Sequence, residues 1–190
     1  RTAIAPLADP AGSTSRVYIP EALATNGAPI GEMTPEVTHP SAMRILIFHG
    51  YLLRGTGSNV YNARLAAALA RAGHEVHLLC QDRGAGAFPW VDRVGSWREG
   101  ELQVEPAPES SSEAGEGRGA VTVYLPEIGD LLPVYVFDSY EGFEVKTFAD
   151  LTEAELDSYL EANVAAVRNV VAAVGGVDAA LANHLIMGPA

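Results

Sequence analysis

Met43-Arg-Ile-Leu-Ile-Phe-His-Gly50 and, after a glycine-bearing loop, Leu65-Ala-Ala-Ala-Leu-Ala-Arg-Ala-Gly-His-Glu-Val-His-Leu-Leu-Cys80 are the stretches that decide the fold. Residues 44–49 form a short continuous apolar run closed by a glycine, the pattern of a parallel strand covered on both faces. Beyond Gly55, Thr56 and Gly57, Ser58 stands where it can cap a helix, and Tyr61, Leu65, Ala68, Leu69 and Ala72 recur at helical spacing until Gly73 supplies a stop. A second apolar strand follows at 74–80. So short a return from helix to strand implies a parallel βαβ unit with a right-handed crossover.

Downstream, residues 84–119 carry Gly84, Gly86, Pro89 and Gly95, then six glutamates between 99 and 116, which reads as a solvated loop with a short strand at 102–105 embedded in it. Two runs rich in Val and Tyr, 120–125 and 132–137, are separated by Gly129 and Asp130 and favour extended structure. Thr152-Glu-Ala-Glu155 has the form of a capping box. It opens a helix striped by Leu156, Leu160, Val164, Val167, Val171 and Val174 and ended by Gly175-Gly176. Residues 178–182 read as another core strand, and Asn183-His-Leu-Ile-Met-Gly-Pro189 as the start of its exit loop. The expected fold class is α/β, a Rossmann-like parallel sheet with helices on both faces, whose last strand draws its remaining cover from beyond Ala190.

Upstream, residues 1–42 hold six of the twelve prolines and glycines at 12, 27 and 31, with no sustained period. They read as a poorly ordered Pro/Gly-rich extension, with Met43 as the natural start and 43–190 as the domain. A length of 190 residues allows one compact domain and a tail, and 48% apolar with 19% charged residues is an ordinary globular mix. Twelve basic against 24 acidic residues give a net charge of −12, which excludes a general nucleic-acid binder or a polybasic membrane-surface protein and leaves room only for a local basic pocket. No apolar run approaches the ~20 residues needed to span a bilayer, while peripheral membrane contact stays open. The single cysteine, Cys80, allows no internal disulfide and no cysteine-based metal site, so a reducing, cytoplasmic setting is expected.

A glycine loop that leads from a strand end into a helix N-terminus suits anions, because backbone N–H groups point outward and the helix dipole adds positive potential. Gly55, Gly57 and Ser58 occupy such a loop. A dinucleotide fingerprint would require glycine where Val60 stands, and a P-loop would require Lys and Ser/Thr where Thr56-Gly57 follow Gly55. His74 and His77, three apart on a strand, face opposite sides and form no zinc motif. His49 and His184 lie at carboxyl ends of parallel strands, the edge at which open α/β sheets bind ligands. Cys80 lies within a core strand, where thiols are inert, and no G-x-S-x-G elbow offers a serine nucleophile.

Met43 to Gly50, Gly55-Thr-Gly-Ser-Asn59, Leu65 to Val76 and Asp178-Ala-Ala-Leu-Ala-Asn-His184 together resemble the N-terminal domain of glycosyltransferase family 4-like enzymes, over about 43–190. The resemblance implies a GT-B architecture, of which this chain is the half that mainly binds the acceptor. The second half, with most of the nucleotide-sugar site and a paired-glutamate motif, is missing. The implied activity is retaining, hexosyltransferase-type transfer from a nucleotide diphosphate sugar to a hydroxyl of a sugar, lipid or small molecule, inactive in this half alone. The implied phosphate contacts are Gly55, Gly57 and Ser58; Asn183 and His184, with His49, fall to acceptor or sugar contact. No metal or resident cofactor is implied, and no catalytic residue can be assigned. Thr56 separates glycines that are often adjacent in the family. The Glu101/Glu109, Glu105/Glu113 and Glu153/Glu161 spacings match the paired-glutamate interval only by chance. Two other classes compete: a nicotinamide-dependent Rossmann oxidoreductase using Asp82 on the ribose, and a non-catalytic sugar or nucleotide sensor.

Overall fold

The computed structural model describes residues 4–8 and 14–18 as backbone, and 41–108, 117–135 and 139–182 in full. The chain divides into two compact units, Arg1–His39 and Pro40–Ala190. In the first, β1 (Ile4–Ala8) and β2 (Thr14–Tyr18) pair antiparallel with Ile4 opposite Tyr18, inside a stretch whose composition shows no period. The second begins three residues before Met43.

The second unit contains β3 (Arg44–Phe48), α1 (Gly57–Arg71), β4 (Glu75–Leu79), β5 (Arg93–Arg98), β6 (Glu101–Pro106), β7 (Val121–Leu125), β8 (Leu131–Val134), β9 (Glu144–Thr147), α2 (Glu153–Ala173) and β10 (Ala179–Ala182). Six strands form one sheet in the order β10-β3-β4-β7-β5-β6, every neighbour parallel except the β5–β6 pair. β8 and β9 pair separately. Successive residues of a strand point to opposite faces. Accordingly Ile45 and Ile47 pack with Ala63, Ala66 and Ala70 of α1, while Leu46 and Phe48 pack with Tyr159, Ala166 and Val170 of α2. The two helices thus cover opposite faces of a mostly parallel α/β sheet, and the β3-α1-β4 unit has the parallel form its apolar runs imply. Among the described residues no helix is long and apolar enough to cross a membrane.

Four expectations need correction. In α1 the buried positions are Asn59, Asn62, Ala63, Ala66, Ala67 and Ala70, while Tyr61 and Ala68 are exposed. The small residues, and not the large ones, face the sheet, because alanines let the helix backbone approach the strands closely and leave Leu65 and Leu69 to flank the core. The N-cap is Thr56, so Ser58 lies inside the helix. The segment 84–119, expected as a loop with one short strand at 102–105, contains that strand as β6 but pairs it with β5 in a hairpin, with Val91, Trp97 and Ala107 buried; its residues 109–116 lie outside the described set. Gly95 misled there: a glycine within a run suggests a turn, yet here a Cβ would overlap the Tyr124 ring, so its absence is what lets β5 lie beside β7. Lastly, β10 is an edge strand among the described residues, with Ala180, Leu181 and Ala182 exposed, and not a core strand.

The capping box of α2 is present in full, Thr152 Oγ accepting from Glu155 N–H and the Glu155 carboxylate accepting from Thr152 N–H. Its apolar stripe is split. Val167, Val171 and Val174 flank the sheet core, while Leu160 and Val164 line an open apolar cleft of about 460 Å³ beside β10.

Candidate phosphate-binding loop at the switch point of the sheet

From β3 the chain steps through α1 to β4 on one side, and later returns through α2 to β10 on the other side of β3. The carboxyl ends of β3 and β10 therefore face a topological switch point, where connections diverge and leave a crevice. The loop 50–56 issues from this edge. Gly50 and Gly55 sit at φ 76° and 87°, in the left-handed region that glycine enters without steric cost.

His49 closes the end of β3 and is completely buried. A buried imidazole needs partners for both ring nitrogens. Nε2–H donates toward Leu52 O at 2.9 Å and Asn59 Oδ1 at 3.0 Å, and Nδ1 accepts from Asn62 Nδ2 at 3.0 Å, a pattern that fits the neutral Nε2–H tautomer. Asn59 and Asn62 also donate to Arg54 O and Ser58 O, so both ends of the loop are tied to one ring. From the end of β4, Asp82 accepts from Leu53 N–H at 3.1 Å, Arg54 Nε at 3.2 Å and Gly84 N–H at 2.9 Å. Arg54 further donates to Gly84 O and lies over the Phe88 ring, 4.6 Å from its centroid. The loop backbone is thereby held from two strands.

At its exposed end the loop meets the N-terminus of α1. Thr56 makes no side-chain cap, the first turn has no acidic residue, and Gly55 to Ser58 are exposed. The first N–H groups of a helix lack intrahelical acceptors, so this end presents donors and the positive pole of the helix to solvent. Nothing lies within 4 Å of a Cβ built on Gly55 or Gly57. That open space is what a bulky oxyanion needs. Burial pushes the Tyr51 phenol, packed edge-on to His49, above its usual range, and pushes the Cys80 thiol up to about 12, so Cys80 stays protonated and unreactive.

Gly55, Gly57 and Ser58 are thus together on an accessible surface, while His49 lies beneath the same loop and organises it. Asn183 and His184 lie outside the described residues, directly after β10. Asp82, the ribose candidate of a nicotinamide site, has one carboxylate oxygen engaged by Leu53 and Arg54 of the loop and the other by Gly84 N–H. Asn59 and Asn62 escaped notice in the sequence. Their signal was two amides sharing the helical face of Ala63, Ala66 and Ala70, where a polar group demands a buried partner. Among the described residues no three His, Cys, Asp or Glu side chains come together as a metal cluster. No family model, curated protein or solved structure matches this chain.

Proposed function

We propose that the chain is the acceptor-side, N-terminal half of a GT-B glycosyltransferase, of the retaining, hexosyltransferase type, working in the cytoplasm on a nucleotide diphosphate sugar. The observation that carries this reading is an uncapped helix N-terminus on a loop pinned by His49 and Asp82 at the switch point of a parallel sheet. When the sugar leaves, negative charge grows on the departing diphosphate. N–H groups of 57–59, already oriented, stabilise that charge without reorganising, an electrostatic contribution of about 3 kcal/mol for a single well-placed donor. His49 acts through Asn59 and Asn62 as a positioning residue for these donors. The acceptor hydroxyl approaches from the β10 side, where Asn183 and His184 follow the strand.

Titration of the ¹⁵N-labelled chain with uridine and guanosine diphosphate tests the phosphate loop. The expected result is amide shifts confined to 54–60, lost in Gly57→Leu while the melting temperature is kept, since the added side chain has free space. Unmoved amides in the parent chain, or an unchanged response in the Gly57→Leu protein, would falsify the assignment.

A further inference from the structure

The outward side of α1 concentrates basic side chains in an acidic chain. A groove of about 740 Å³ runs between α1 and the Phe88–Trp90 segment, and a second of about 480 Å³ continues along the helix, the two sharing Val60, Arg64 and Ala68. Three arginines, Arg54, Arg64 and Arg71, line the first groove, and its described lining contains no carboxylate. None of the ion pairs formed by described residues involves Arg64 or Arg71. Both are exposed. In a chain of net charge −12, two unneutralised guanidinium groups on one apolar helix face form a local field of the opposite sign.

The geometry points to a docking surface on α1 for an acidic amphipathic helix of a partner protein. Arg64 and Arg71 are seven residues apart, about 10.5 Å along the axis, or two helical turns. Carboxylates at the same interval on a second helix meet both. Between them Ala67 and Ala68 are small enough for the axes to approach to ~9 Å, and Val60, Tyr61 (59% exposed) and Leu65 offer apolar contact for the partner's anchors. The grooves reach the phosphate loop at Gly55 and Gly57, but the docking contacts at Arg64, Ala68 and Arg71 lie further along α1. A nucleic acid is the poorer occupant: Phe88 packs against Trp90 with centroids 5.2 Å apart and lies under Arg54, so its faces are already engaged, and the whole-chain charge repels a long polyanion.

The test uses two fluorescein-labelled helical peptides of about 20 residues, with leucines at three- and four-residue steps and either glutamates or lysines at seven-residue steps. Anisotropy is followed against the 190-residue chain, with a single-stranded thymidine oligonucleotide as a third probe. The expected result is that the glutamate peptide binds at least ~10-fold tighter than the lysine peptide, and that its affinity falls at least ~10-fold in the Arg64→Glu/Arg71→Glu chain and again at high salt. Both arginines are exposed, so an unchanged circular-dichroism melt shows that the fold is intact. Ala68→Trp, which fills the groove and keeps both charges, is expected to block the same peptide. Equal binding of the two peptides, no binding up to about 1 mM, indifference to either variant, or tighter capture of the oligonucleotide would each overturn the proposal.

Discussion

A buried imidazole joining three polar groups explains why the loop after β3 has one shape. His49 satisfies Asn59 and Leu52 through one nitrogen and Asn62 through the other. Replacement by leucine keeps the approximate volume and removes all three contacts, leaving amide groups with less than their full complement in a dry site. Each such loss costs about 1–3 kcal/mol. His49→Leu is therefore expected to lower stability by about 2–4 kcal/mol in urea unfolding, with an unchanged slope. A loss under about 0.5 kcal/mol would show that the glycine loop holds its form without the ring. The sequence locates His49 correctly at a strand end. It does not reveal that the ring points inward, because the deciding partners are amides ten and thirteen residues further on, in a different element. Asp82 is the same lesson: a carboxylate at a strand end reads as a ribose ligand until its backbone partners from residues 53 and 84 are known.

Elements whose ends carry local chemistry were the legible ones. The capping box of α2 is written within four residues, and the structure contains it as written. Its Glu155 is also a partner of Lys146, and that contact, followed by the donors of Thr152, holds the carboxyl at about 2, below its ordinary 4.5. The folded chain therefore binds this proton less readily than the unfolded chain does. Its contribution to stability is in place above the ordinary carboxylate range and fades as pH falls from about 4.5 toward 2. Carboxyl-resolved NMR should give a Glu155 midpoint of about 2, moving upward in Lys146→Met; a midpoint that stays put would mean the cap alone sets it. The inward face of α1 was illegible for the opposite reason. Hydrophobic periodicity weights large residues, whereas close contact with a sheet selects alanine, so the stripe chosen by size was partly the outward one. Strand β6 is legible as the short strand at 102–105, but β5 escaped because a glycine that admits a neighbouring tyrosine looks, in sequence, like a glycine that makes a turn.

For the whole molecule, the parallel α/β architecture follows from two apolar runs and the short return between them, but the strand order does not. β7 inserts between β4 and β5, a pairing over more than forty residues that no local pattern encodes. That order places β3 inside the sheet, flanked by β4 and β10 and covered by helices on both faces, with β10 at the margin. Two truncations of branched aliphatic side chains read this arrangement directly. Ile47 is completely buried, so Ile47→Ala removes its transfer energy and leaves a cavity between β3 and α1, an expected cost of about 2–5 kcal/mol. Leu181 pairs with Ile47 in register on the neighbouring strand yet is 38% exposed, so Leu181→Ala is expected to cost under about 1 kcal/mol. Chemical denaturation of the two variants separates an interior strand from an edge strand one hydrogen-bonded step away. Equal large losses would mean that β10 is covered in solution by structure beyond the described residues. Equal small losses would remove β3 from the centre of the sheet, and with it the switch point on which the phosphate loop depends.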